Sequence, residues 1–195
     1  MESTDNRAAL TLAELGALQS GHFRLTSGRH SDKYMQCAKL FEHPEASAEL
    51  CGMLAERFAG AGIELVAGPA IGGIIMAYET ARALGVRNIF AERENGAMTL
   101  RRGFTVAPGT RVLVVEDVVT TGGSVKEVVS LLQSMGAEIA AVGAVVDRSG
   151  GTADFGVPFH ALMKLDALSW EPENCPLCKE NIPIVKPGSR PMPMI

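Results

Sequence analysis

The sequence predicts an α/β fold in which a central parallel β-sheet is flanked by helices. Three observations lead there. Apolar runs and helical stripes alternate from residue 63 to residue 165. The strand-like runs IELVAG, RVLVVED and IAAVGAVVD lack in–out alternation, so both of their faces are buried, as in a parallel sheet. Strand–helix–strand order then requires right-handed crossovers within one sheet. At 195 residues the chain has the length of one ordinary domain, and it can bury roughly 70% of its unfolded surface without disulfide staples.

The elements follow in order. Thr11 and Glu14 form a T-x-x-E capping box with Leu10 and Leu15 as its hydrophobic staple, so a helix is expected to begin there. A second helix starts near Pro44, proline being favoured in a first turn. Its stripe is Ala46, Leu50, Met53, Leu54 and Phe58, and Gly60 and Gly62 close it. Residues 63–68 read as a buried strand, 73–84 as a helix stopped by Gly85, and 88–92 and 111–117 as strands. Val125, Val128, Val129, Leu132 and Met135 give the next helical stripe, ended by Gly136. Residues 139–147 form another strand and 159–165 a last one. Between 88–92 and 111–117 there is no helical stripe. Asn95-Gly96 signals a hairpin instead, flanked by Arg93, Glu94, Arg101 and Arg102. A charged hairpin at the ligand edge of a sheet is either a lid or a plain solvated turn. The Pro-rich tail from residue 181 has no periodicity and reads as extended over a surface or frayed.

Composition removes several function classes. A net charge of −4 argues against a protein that grips a nucleic-acid backbone, though not against a small anionic ligand. No apolar stretch approaches the ~18 residues of a membrane span. The N-terminus lacks the basic flank and apolar core of a secretory signal. Cys37, Cys51, Cys175 and Cys178 therefore read as free thiols in a reducing cytoplasm. Cys37 and Cys51 look like small core residues. Cys175-Pro176-Leu177-Cys178 is a single C-x-x-C, which is half a zinc site, a redox pair or two surface thiols in a tail. His22 and His160 are further candidate ligands that spacing does not select.

In open α/β sheets ligands bind beyond the carboxyl ends of the strands, which points to the turns after Ala67, Asp117 and Asp147. The most informative of these is VLVVEDVVTTGGS, residues 112–124. An apolar strand ends in two acids, Glu116 and Asp117. A loop of Thr120, Thr121, Gly122 and Gly123 leads into a helix at about Ser124. Glycines free backbone N–H groups to point inward, hydroxyls add donors, and a helix N-terminus favours an anion. Two acids would repel a bare phosphate. They suit a phosphate-bearing ligand that also has hydroxyls, because carboxylates accept from a ribose diol and can hold Mg²⁺ through water. No G-x-x-x-x-G-K-[ST] is present, so an ATPase lacks its lysine.

This stretch resembles the phosphoribosyl pyrophosphate (PRPP) signature of the type I phosphoribosyltransferases. The resemblance implies their Rossmann-like central parallel sheet, topped by a small hood from the N-terminal segment and the C-terminal part. It further implies that Glu116 and Asp117 face the ribose, with Asp117 also catalytic, and that Thr120, Thr121, Gly122, Gly123 and Ser124 hold the 5′-phosphate. AGPAIGG, residues 67–73, resembles the family's pyrophosphate loop, placing Ala70, Ile71 and Gly72 against the diphosphate. The family often carries a non-proline cis peptide in that loop.

Two regions resemble the orotate phosphoribosyltransferases in particular. GHFRLTSGRHSDKYMQC, residues 21–37, is similar to the segment that folds over the pyrimidine, with Thr26 in its core, Tyr34 and Met35 against the base, and His30 nearby. In VVDRSGG, residues 145–151, Arg148 matches the arginine that pairs with the orotate carboxylate, a role that the guanidinium fork fits. Thr121 is implied in orotate binding too. The C-terminal CPLC resembles a bacterial and archaeal branch often called the Thermus type. Read this way, residues 1–40 are the hood over the base, 41–165 the core domain, and 166–195 an extension.

The chain departs from the family pattern at three places. Thr26 stands where many orotate enzymes have a lysine, Ile71-Gly72-Gly73 replaces a lysine-bearing pyrophosphate loop, and ERENGAMTLRRGF has neither lysine nor histidine. Arg93, Arg101 and Arg102 are the cations left to stabilise the leaving diphosphate. The resemblance implies a cytoplasmic, Mg²⁺-dependent homodimer making orotidine 5′-monophosphate for pyrimidine biosynthesis, without nucleic-acid or membrane partners. The alternatives are a transferase for another nucleobase, or a PRPP-sensing regulator. The regulator would need a DNA-binding extension or a basic face.

Overall fold

In the computed structural model, residues 4–25 and 27–187 are described. Helix α1 (Thr4–Glu14) leads into the antiparallel pair β1 (Leu18–Arg24) and β2 (His30–Met35). A 3-10 turn over Cys37–Glu42 then feeds α2 (Pro44–Glu56), with Pro44 in its first turn. The α/β core follows as β3 (Leu65–Pro69), α3 (Gly72–Leu84), β4 (Arg87–Glu94), β5 (Ala97–Leu100), β6 (Arg111–Val119), α4 (Gly123–Ser134), β7 (Glu138–Asp147) and β8 (Phe159–Lys164). The two-residue β9 (Ser169–Trp170), a 3-10 turn over Pro172–Asn174 and the one-turn α5 (Pro176–Lys179) are the last elements among the described residues.

The central sheet has the order β5-β4-β3-β6-β7-β8. All its pairs are parallel except the β4–β5 hairpin, so the parallel sheet expected from sequence carries one antiparallel edge strand. The hairpin turn is the predicted Asn95-Gly96, with φ of 50° and 87°, the left-handed pair that a two-residue hairpin requires.

The opening helix corrects the sequence reading. Thr11 and Glu14 lie in the last turn of α1 and do not cap its start. Ala8 and Leu12 are fully buried and α1 packs against β8, so burial of that stripe draws the helix back ahead of the box.

The strands separate two apolar layers. Along β6, Leu113 and Val115 face α1, α2 and α3, where Leu12, Leu50, Leu54, Met76 and Ala77 are buried. Val112 and Val114 face α4, against Val125, Val128, Val129 and Leu132. A strand covered on both faces can expose chemistry only at its ends. From β3 the chain winds one way to β4, and from β6 the other way to β7. The gap between the carboxyl ends of β3 and β6 is therefore the topological switch point of the sheet.

A second sheet, β1-β2-β9, stands beside the core. It joins chain ends far apart in sequence: His30 pairs with Trp170, and Val185 adds a parallel bridge to Phe23. No described helix is long and apolar enough to cross a membrane.

Candidate active site

Two hollows meet at the switch point. The smaller, about 180 Å³, is a cup lined by Glu116, Val118, Val119, Thr120, Thr121, Gly122, Gly123, Ser124 and Val125. The larger, about 530 Å³, runs between Met35, Gln36, Cys37 and Phe41 on one side and Ile71, Gly72, Ile75, Asp117 and Val118 on the other. Glu116 and Asp117 stand between them at the end of β6, one in each lining.

The cup is built from local backbone rules. Gly122 caps α4 with φ 74°, and a Cβ there would lie 2.8 Å from the Phe155 ring, so the position demands glycine twice over. The first turn of α4 carries no acid, and its residues Gly123, Ser124 and Val125 line the cup, with the Gly123 N–H donating to Thr121 Oγ1 at 3.4 Å. On the other side of the switch point, Ala70–Ile71 is the non-proline cis peptide expected of this loop. Gly72 lies against the acid pair: a Cβ there would sit 2.6 Å from Asp117 Oδ2. Ala70 is held by its N–H donating to the Ala91 carbonyl at 2.7 Å.

The acid pair is electrostatically loaded. Burial first, and the charge of Asp117 second, push the Glu116 carboxyl up to about 8. Burial also raises Asp117, although the Val118 N–H donates to its Oδ1 at 2.8 Å. Each carboxyl holds its proton more tightly folded than unfolded. The pair thus contributes stability that is fully present below the ordinary carboxylate range, about 4, and lost as pH rises through the raised values. Thermal melting of the ligand-free protein should fall with pH across that window. Glu116→Gln should flatten the slope, and an equally steep profile in the variant would refute the assignment.

Arg148 follows β7. Its backbone N–H donates to the Val119 carbonyl at 2.7 Å, which ties the turn to the end of β6. Asp147 is committed to this turn, accepting from the N–H and hydroxyl of Ser149 at 2.8 and 2.6 Å. The Arg148 Nε is buried and has no hydrogen-bond partner among the described residues. Its charge acts on Cys37, whose thiol is held well above its usual range by burial first and then by Asp117 and Glu116. Cys37 is therefore a cavity residue as well as a core residue, which its buried, uncharged character conceals in the sequence.

Other predicted site residues are placed as follows. Met35 lines the larger hollow, whereas Tyr34 donates to Gln36 Oε1 at 2.9 Å and packs on Phe23. Thr26 lies outside the described residues. The three arginines of the hairpin are all paired: Arg93 with the Gly96 carbonyl and Glu127, Arg101 with Glu94, and Arg102 with both oxygens of Glu92. Cys175 and Cys178 do not form the exposed tail pair that was one expectation. Cys175 is fully buried, and both sulfurs face His22 and His30. His160 instead packs on Phe58.

A glycine-rich turn at the N-terminus of α4 beside an acid pair, across the switch point from a loop of close backbone approach, is the arrangement that a phosphoribosyl-transferring α/β protein needs. The family model described as the phosphoribosyl transferase domain matches residues 37–155. An orotate phosphoribosyltransferase of Pelotomaculum thermopropionicum is 62% identical over 175 residues, covering 90% of this chain and 92% of that protein. One of Carboxydothermus hydrogenoformans is 61% identical over 179 residues, covering 91% and 94%. The crystal structure of the Aeropyrum pernix orotate phosphoribosyltransferase superposes with a TM-score of 0.68 at 27% identity, covering 81% of this chain and 93% of that one. The chain belongs to the type I phosphoribosyltransferase family, among its orotate phosphoribosyltransferases.

Proposed function

We propose that the chain transfers the 5-phosphoribosyl group of PRPP to N1 of orotate, giving orotidine 5′-monophosphate and diphosphate on the way to UMP. The buried Arg148 Nε, which has no hydrogen-bond partner among the described residues, carries the choice of base; the charge of Arg148 acts on Cys37, which lines the hollow of about 530 Å³. A buried guanidinium donor is costly to leave unmade, and the orotate carboxylate would complete it. The 5′-phosphate sits in the cup of Thr120, Thr121, Gly122, Gly123 and Ser124. The ribose diol donates to Glu116 and Asp117, and the diphosphate lies along Ala70, Ile71 and Gly72. Orotate stacks between Met35 and the rim of α3, with Tyr34 behind it, and Thr121 at its edge.

In the reaction the C1–O bond to diphosphate breaks as N1 of the orotate anion bonds to C1. The N1 proton passes to solvent or to the departing diphosphate, whose oxygens can accept it, so no protein base is needed. Positive charge develops on the ribose and negative charge on the leaving group. Asp117, ionised once the diol donates to it, faces the developing cation. The acid pair is a hard oxygen donor set, which fits Mg²⁺. Glu116 and Asp117 would hold the ion through water, and when bound it offsets the charge of the diphosphate.

Arg93, Arg101 or Arg102 supplies the protein's cation to the diphosphate. The pairs of Arg93 and Arg101 are solvent-exposed, and exposed ion pairs give way at little cost, whereas Arg102 is held by both oxygens of the half-buried Glu92. Arg93→Ala should lower kcat far more than it weakens orotate binding, and unchanged turnover would remove Arg93 from the mechanism. We propose a homodimer in which this hairpin serves the neighbouring site, supported by the exposed Ile71, Ile75 and Tyr78 along the site's rim. A monomer by sedimentation would contradict it. The four free cysteines and these soluble substrates favour the cytoplasm.

Gly72→Ala tests the close approach. It should displace the Asp117 carboxylate and reduce kcat/KM for PRPP by about 10- to 100-fold while the fold persists. The deciding assay follows orotate absorbance with and without PRPP and Mg²⁺, beside adenine, hypoxanthine, xanthine and uracil. Consumption of another base, or none, would overturn the proposal.

A further inference from the structure

From Asp166 to Pro187 the chain has one buried side chain, that of Cys175. A segment with so little apolar burial has no hydrophobic reason to stay in place. It is nevertheless held against the second sheet, with the Val185 N–H donating to the His22 carbonyl at 2.8 Å and the Arg24 N–H donating to the Val185 carbonyl at 2.9 Å.

The side chains gathered at that seam are His22, His30, Cys175 and Cys178, whose ligand atoms all lie within 4.8 Å of one another. His22 Nε2 is 3.1 Å from His30 Nδ1, 3.4 Å from Cys175 Sγ and 3.7 Å from Cys178 Sγ. Cys178 Sγ is 3.3 Å from His30 Nδ1. A tetrahedral zinc with its usual bond lengths has N···N edges of about 3.3 Å and N···S edges of about 3.6 Å. These four of the six separations fall near those edges, and all six lie within 4.8 Å.

An outer contact agrees. His22 Nδ1 is 2.7 Å from the Ile182 carbonyl, which can only accept. That bond places the proton on Nδ1 and leaves the Nε2 lone pair facing the cluster, the arrangement that metal-bound histidines commonly show. It also ties the metal position to the far end of the extension.

We infer that His22, His30, Cys175 and Cys178 form a closed Cys₂His₂ site for Zn²⁺ that staples the C-terminal extension onto the β1–β2 hairpin. Binding releases the two thiol protons, and the two thiolates neutralise the ion, so the site carries no net charge. Two sulfurs and two nitrogens in tetrahedral disposition select zinc over harder cations. All four positions are filled by protein, so the site is structural and leaves no place for substrate. Because β2 ends at Met35 in the larger hollow, the staple also fixes one wall of the proposed base site.

The test uses the full chain purified without an affinity tag. Mass spectrometry of the dialysed protein should find about one zinc per chain. Stripping it should lower Tm and open residues 166–187 to proteolysis, and added Zn²⁺ should restore both. Apo protein titrated with Co²⁺ should give the visible absorption of a tetrahedral thiolate site, lost in Cys178→Ser, a substitution at an exposed residue that the fold should tolerate. Zinc-free protein that shows no cobalt bands and no Tm response to Zn²⁺ would overturn the inference. So would a Cys175–Cys178 disulfide found by thiol titration. None of these readouts depends on orotate turnover, so the staple and the proposed reaction stand or fall separately.

Discussion

Arg148→Ala is expected to lower kcat/KM for orotate by at least roughly 100-fold, since truncating one side of a buried charge pair costs about 3 kcal/mol or more. PRPP affinity should stay nearly unchanged, because the cup and the acid pair belong to β6 and the turn after it, not to β7. Arg148→Lys should recover only part of the loss: it restores the charge but not the planar fork. Steady-state kinetics with calorimetric PRPP binding on each variant would separate these effects. Orotate turnover within about threefold of the parent would place the carboxylate elsewhere.

The combined change of Glu116→Gln and Asp117→Asn should be as damaging, by a different route. It replaces two charged acceptors for the ribose hydroxyls with neutral ones. Hydrogen bonds to charged groups contribute about 1.5–3 kcal/mol each, so kcat/KM for PRPP should fall by about two to four orders of magnitude. Inorganic phosphate should bind the variant at least as well as the parent, since whatever negative charge the pair holds beside the cup is gone. The ligand-free variant should also melt higher near neutral pH, because the folded parent holds this pair against its own charge. Higher stability with lost activity would mark the pair as a functional cost. PRPP turnover within tenfold of the parent would remove it from the site.

Much of the core was legible because its signals are local. The acid pair, the Thr-Thr-Gly-Gly turn and the start of α4 are contiguous, so one short stretch encodes strand end, cup and helix N-terminus together. Asn95-Gly96 likewise encodes its own hairpin. The capping-box reading failed for the opposite reason. Thr11 and Glu14 satisfy a local pattern, but the burial of Ala8 and Leu12 against β8 outweighed it.

The class of sheet and the place of its Thr-Thr-Gly-Gly turn could be read from the residues alone, as could the side-chain types that suit the proposed ribose and carboxylate. What those side chains face depends on how the chain packs. Packing left the buried Arg148 Nε without a partner among the described residues, engaged the hairpin arginines with carboxylates, and drew Cys175 and Cys178 onto two histidines about 150 positions earlier in the chain. Spacing along a chain carries no record of such meetings, because loop closure grows only slowly more costly with length and the partners are chosen by how the sheets stack.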